Sequence, residues 1–170
     1  WKIFRHEKKE VILRAFLNKD IVYSMFMNKL NVVNINTLIT KKSNKSFSYT
    51  STSEFWSDEF KKRHNKCHIN RNCSNLINNE LHKLHIANWN IIRPNGKDEY
   101  ITQSMRDELL MSNGVTFCYN SKENSKMIAL VGNNENSMFI GNLLRNKQLL
   151  LHSIGIIFDY IEMRHGVIHE

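Results

Sequence analysis

The chain of 170 residues is 41% apolar, enough to bury one core and short for two full domains. Its net charge of +8 admits attraction to nucleic acid or another anionic surface, and three cysteines without a pairing pattern exclude a disulfide-stapled scaffold. No Pro/Gly-rich linker, internal repeat, apolar signal core in WKIFRHEKKEVIL or bilayer-length apolar run is present, so a single, cytoplasmic domain over residues 1–170 with no membrane segment is expected.

Residues 7–30 repeat apolar side chains at helical spacing through Ile12, Phe16, Val22, Phe26 and Leu30, which predicts an amphipathic first helix. NVVNINTLIT then alternates Val33, Ile35, Thr37 and Ile39 with their neighbours at a period of two. That pattern predicts a strand over 32–40, a turn at KKSNK and a partner strand over 46–51. Ser53 stands where a helix N-cap belongs, so EFWSDEF forms a short helix with Trp56 and Phe60 on one face. The polar stretch 64–80 reads as irregular, LHKLHIANWNII fits a helix end or a strand, and RPNGKDEY reads as a loop. A helix through Ile101, Met105 and Leu109 leads into a second hairpin with strands at 114–120 and 126–132. The stripe from Ile140 through Leu143, Leu150, Ile154 and Phe158 to Ile161 predicts a long helix over 136–163, broad enough to serve a homodimer. Hairpins bracketed by helices give an α+β fold, an antiparallel sheet with helices packed on both faces in the manner of PAS or GAF sensors. The competing architecture is a winged helix, with EYITQSMRDELL followed by the second hairpin as its wing.

The tempting metal set is His64, Cys67, His68, Cys73, His82 and His85, but its spacings match no zinc finger or knuckle, and no metal or cofactor is expected. Phosphate-binding glycine loops and a nucleophile elbow are missing from the sequence, and the acid pairs Asp98/Glu99 and Asp107/Glu108 point apart on a helix. Nothing here assembles an enzyme. Two features remain. The segment from Lys41 to Lys97 carries a basic excess, which is either a solvated face or a nucleic-acid surface. The aromatics Trp56, Phe60 and Trp89 are either core or the wall of a small-molecule pocket, in which indole N–H groups would act as donors. In the pocket reading they converge with Ile35, Val115 and Phe117, near Val33, while Thr116 and Cys118 take the opposite face of their strand.

This layout resembles the autoinducer-binding domain of LuxR-type quorum-sensing regulators. The resemblance rests on EFWSDEF, with Trp56 and Phe60 four apart after a hairpin, on Trp89 in IANWN, and on Gly114, Val115 and Thr116 in SNGVTFCY. It extends over almost the whole chain in layout but few residues in identity. It implies a cytoplasmic, non-enzymatic sensor that binds a small amphipathic ligand through Trp56, Phe60, Trp89, Ile35, Val115, Thr116 and Phe117, acts as a homodimer, and reaches DNA only through a helix-turn-helix domain beyond RHGVIHE. Two departures stand out. CHINRN, residues 67–72, lacks the family's Asp-Pro pair that receives the amide of an acyl-homoserine lactone, and Phe60 replaces the usual tyrosine. A divergent or orphan sensor follows, with a basic nucleic-acid-binding or assembly protein as the alternative.

Overall fold

The computed structural model describes residues 19–148 and, beyond them, 150, 151, 153–155 and 158. Contacts divide them into a compact unit running from Asn31 to Gly141 and a second made of the flanking segments. In the flanking unit, α1 spans Lys19–Leu30; the expected helical residues 7–18 lie outside the described residues.

The larger unit is built on five antiparallel strands: β1 (Val32–Lys41), β2 (Phe47–Ser51), β3 (Leu84–Asn88), β4 (Asn113–Asn120) and β5 (Asn124–Gly132). Their spatial order is β2-β1-β5-β4-β3. Each hairpin closes locally. At the first, the Asn44 side chain accepts from both the backbone N–H and the hydroxyl of Ser46; at the second, the Ser121 N–H donates to the Asn124 carbonyl. The two hairpins join edge to edge through β1 and β5, from Lys41 opposite Asn124 to Val32 opposite Gly132. All four expected strands are present, and the ambiguous LHIAN proves to be the edge strand β3, paired with β4. Because β4 and β5 lie inside the sheet, their hairpin cannot be the free wing of a winged helix.

Between the hairpins lie α2 (Glu54–Arg63), a 3-10 turn (His64–Lys66), α3 (His68–Ile77) and α4 (Lys97–Glu108). The helix α3 occupies a stretch expected to be irregular. Ile69, Cys73 and Ile77 recur every four residues and are all buried, but five of the six positions between them are Asn, Ser or Arg, which hides so narrow a stripe. Helix α4 likewise begins inside the expected loop, directly after Gly96 at φ 82°. With α2 against β2 and α3 against β3 and β4, one sheet face closes over Leu38, Tyr49, Trp56, Phe60, Ile69, Trp89, Met127 and Val131. Each large apolar side chain so buried contributes roughly 1.5–3 kcal/mol.

At the end of the sheet, α5 (Phe139–Arg145) starts three residues later than expected and stops at a turn where the Asn146 N–H donates to the Leu143 carbonyl. Helical backbone resumes at 147, so the long helix is interrupted, and parts of its expected course, including Ile161, fall outside the described residues. Its apolar stripe is largely buried within one chain: Leu143, Leu150, Ile154 and Phe158 are all inaccessible, whereas Leu144 is exposed.

Two glycines allow close approach of rings to the sheet. A Cβ on Gly114 would lie 2.7 Å from the Trp89 ring, and one on Gly132 would lie 2.3 Å from Phe139, whereas Gly141 in α5 has open space around it. Gly114→Ala should therefore destabilise the protein by about 1–3 kcal/mol, while Gly141→Ala should be neutral or stabilise by up to about 1 kcal/mol. Denaturant unfolding of the two variants beside wild type checks the contrast; equal behaviour would mean that Trp89 does not rest on β4.

Candidate functional site

A buried chain of polar side chains fixes the start of α2. The Asn34 amide donates to Asn36 Oδ1 at 3.0 Å, the Ser51 hydroxyl donates to the same oxygen, and Ser51 Oγ accepts from the Ser53 N–H at 3.1 Å. Ser53 in turn caps the helix by accepting from the Trp56 N–H at 3.3 Å. This is the N-cap that the sequence announces. It turns Trp56 and Phe60 onto the sheet, where Phe60 stacks on Tyr49 with centroids 4.2 Å apart, and it leaves Phe55 in solvent.

Beneath these rings is a cavity with about 20 Å3 of water-fillable space, room for about one water molecule. Asn36, Leu38, Thr116, Met127 and Ala129 line it from the sheet, with Tyr49, Phe60, Asn70, Trp89 and Arg106 around it. Of the expected residues, Phe60, Trp89 and Thr116 reach the cavity, and Trp56 packs in the same cluster. Ile35, Val115 and Phe117 do not. The register sets Ile35 and Val115 opposite Leu130 and Phe117 opposite Ile128, on one sheet face, and sets Asn36 and Thr116 opposite Ala129 on the other. The expected face is thus inverted, with Thr116 and Cys118 on the helix-covered side. Burial of both sheet faces is the reason: Ile35, Val115 and Phe117 are as inaccessible as Thr116, so alternation marks two faces without saying which one holds a cavity. Val33, expected near the pocket, is half exposed beside a register shift between Val32 and Asn34.

The dominant charge of the site comes from a residue the sequence reading passed over. Arg106 is only 3% exposed, and its guanidinium lies 4.5 Å from the centroid of Trp89 and 4.9 Å from that of Trp56. Its Nη2 donates to the Cys67 sulfur at 3.2 Å; its Nε has no partner, and among the described residues it forms no ion pair. Nearby Glu99 is already engaged, accepting from Arg71 through both oxygens and from the Asn95 N–H. Apolar spacing in α4 predicts an inner face through Ile101, Met105 and Leu109; the fully buried pair is instead Thr102 and Arg106, one position round the helix, while Ile101 is exposed. A long cationic side chain ordinarily carries its head to water, so no local signal turns this one inward.

Three more buried polar atoms near Arg106 lack hydrogen-bond partners: Tyr49 Oη, Trp56 Nε1 and His68 Nδ1. Trp89 differs, because its Nε1 donates to Thr116 Oγ1 at 2.8 Å. Of the two indole donors, only that of Trp56 is unengaged. Burial raises the Tyr49 hydroxyl well above its ordinary range, outweighing the Arg106 charge and the neighbouring Trp56 and Ser51, which draw it down without forming a hydrogen bond of good geometry. The basic segment is partly neutralised, with Lys62 on Glu59, Lys66 on Asp98, Arg71 on Glu99 and Lys83 on Glu80.

Burial, then the Arg106 charge, lowers His68 from 6.5 to about 4, with Arg71 acting in the same sense and Glu99 and Asp107 opposing. The unfolded chain therefore takes up a proton at His68 that the fold refuses, and the stability this residue confers is lost as pH falls from about 6.5 towards 4. Melting temperatures should drop over that window, and His68→Gln should flatten the drop; an unchanged profile in the variant would assign acid sensitivity elsewhere.

No protein-family model matches this sequence. A search of curated proteins likewise finds no match. Solved structures do match, at low identity. CepR2 from Burkholderia cenocepacia, an N-acylhomoserine lactone dependent LuxR family transcription factor, superposes with a TM-score of 0.65 at 11% identity over 95% of both chains. The VqsR LBD from Pseudomonas aeruginosa gives 0.60 at 12% identity, over 91% of this chain and 96% of that one. SdiA of Escherichia coli gives 0.53 at 9% identity, over 92% of this chain and 69% of that one. With its five-stranded antiparallel sheet and the helices inserted between two hairpins, this chain has the fold of the LuxR-type autoinducer-binding domain.

Proposed function

We propose that this chain is the signal-sensing domain of a LuxR-type transcription regulator, a cytoplasmic, non-enzymatic module that binds a small amphipathic molecule between the sheet and α2–α4. Occupancy would reach a DNA-binding helix-turn-helix domain through the helical segment that follows the sheet. One observation carries the reading: a cavity in this fold is lined by Tyr49 and Arg106, whose buried Oη and Nε have no hydrogen-bond partner, and the unpartnered Trp56 Nε1 and His68 Nδ1 lie buried in the core around it. Orphaned buried donors are destabilising by roughly 1–3 kcal/mol each, so a core that keeps several is arranged for something besides its own stability. The present cavity is smaller than the head of such a ligand, so binding requires the surrounding side chains to yield. Among the described residues no helix is long and apolar enough to cross a membrane.

The free Trp56 N–H gives the test. Trp56→Phe removes an unpartnered donor and little volume, so the ligand-free melting temperature should stay nearly unchanged, while ligand affinity falls about tenfold. A thermal-shift screen of neutral fatty-acyl amides, acyl-homoserine lactones and cell extract on both proteins reads this. A large loss of stability with no effect on ligand shifts would make Trp56 a packing residue. Acyl-homoserine lactones should shift wild type little, because CHINRN supplies no carboxylate to receive their amide.

Homodimerisation belongs to this reading as well. Much of the apolar stripe after the sheet is already buried within one chain, so Leu144 is the exposed apolar side chain of α5 available to a second copy. Sedimentation at micromolar concentration should show a dimer that Leu144→Glu weakens; a monomer would remove this part of the proposal.

A further inference from the structure

Resting on the sensor reading above, we infer that the ligand carries an anionic oxygen head, a carboxylate on an amphipathic body, and that Arg106 is the group that recognises it. A guanidinium remains protonated in any protein environment, so Arg106 places a full positive charge inside the fold. Two indole faces, at 4.5 and 4.9 Å, hold it from the sides, and their quadrupoles offset part of the lost hydration. They leave its N–H edge unfulfilled. One donor goes to a thiol sulfur, a weak acceptor, and Nε goes to nothing. Of the two carboxylates whose field reaches His68, Glu99 is bound bidentately by Arg71, and Asp107 accepts from Gln103 and Ser112. A planar fork of donors held by flat walls, open at its edge and lining a cavity, matches a carboxylate in both charge and shape.

The rest of the lining agrees. Tyr49 Oη, without a partner, can donate to the same oxygens, Asn70 offers a further amide, and the unpartnered Trp56 Nε1 lies in the core cluster beside them. No acidic side chain lines the cavity to repel an anion. Leu38, Met127 and Ala129 continue the wall as an apolar surface suited to a hydrocarbon body.

The test compares octanoate with octanamide, equal in chain length and different in head charge, by calorimetry and thermal shift on the whole chain. Octanoate should raise the melting temperature and bind about tenfold or more tightly than octanamide. Arg106→Met keeps the apolar stem, so it should fold and lose that preference; Arg106→Lys should keep part of it. Equal binding of acid and amide to wild type, or a preference for acid that survives Arg106→Met, overturns the anion assignment and leaves the sensor reading standing. Silence with octanoate, octanamide and the neutral amphiphiles of the wider screen overturns both. Should Arg106→Met fail to fold, the head-group preference of wild type and of Arg106→Lys decides.

Discussion

Arg106 lies between the rings of Trp56 and Trp89, and most of the chain between the two hairpins is arranged so that it can. A buried cation is tolerable only where its surroundings return some of the solvation that water gave it. Here the return comes from two π faces and a thiol rather than from a carboxylate. Both tryptophans must therefore stand at fixed positions, and each is fixed from a different part of the sequence. Trp89 follows the edge strand β3, lies on Gly114 and donates to Thr116, so its ring is pinned by β4. Trp56 is set by the cap at Ser53, which hangs on the Asn34–Asn36–Ser51 chain and hence on β1 and β2.

The pairing of β1 with β5 is what brings these two halves together. Without it the hairpins would be separate ribbons, each too small to be stable alone. With it, α2 from the first half and Trp89 from the second half meet over one sheet face. The bidentate Arg71–Glu99 pair ties α3 to the start of α4, whose next turns carry Thr102 and Arg106 inward. The backbone around Arg106 is thus fixed from several parts of the chain, while its Nε stays without a partner.

The low identity to structures of the same fold has a physical reading. Backbone pairing and apolar alternation can be met by many sequences, so the sheet and its order persist at 9–12% identity. The groups facing the cavity are not needed to define that sheet order, and they are free to differ. In this chain CHINRN supplies no acid but a buried His68, and Arg106 supplies positive charge close by, its field acting on His68. The electrostatic sign of the site is thus positive.

Several features are determined by local sequence alone. The four strands at 32–40, 46–51, 114–120 and 126–132 follow from period-two patterns and turn residues, the start of α2 follows from Ser53, and the shared face of Trp56 and Phe60 follows from their spacing of four. These are short-range properties, written in neighbours a few residues apart. Helix α3 is only half legible, because its Ile69–Cys73–Ile77 stripe is thin against asparagines, and β3 shows its identity only once β4 lies beside it. The face of the sheet that holds the cavity, and hence the exchange of Ile35, Val115 and Phe117 for Asn36, Thr116 and Ala129, was decided by tertiary structure, since both faces are buried and alternation is blind to which is which. The same holds for Arg106. Its sequence context is that of a surface helix arginine, and only the approach of two tryptophans, 50 and 17 residues away in the chain, makes the interior a place where its charge can stay.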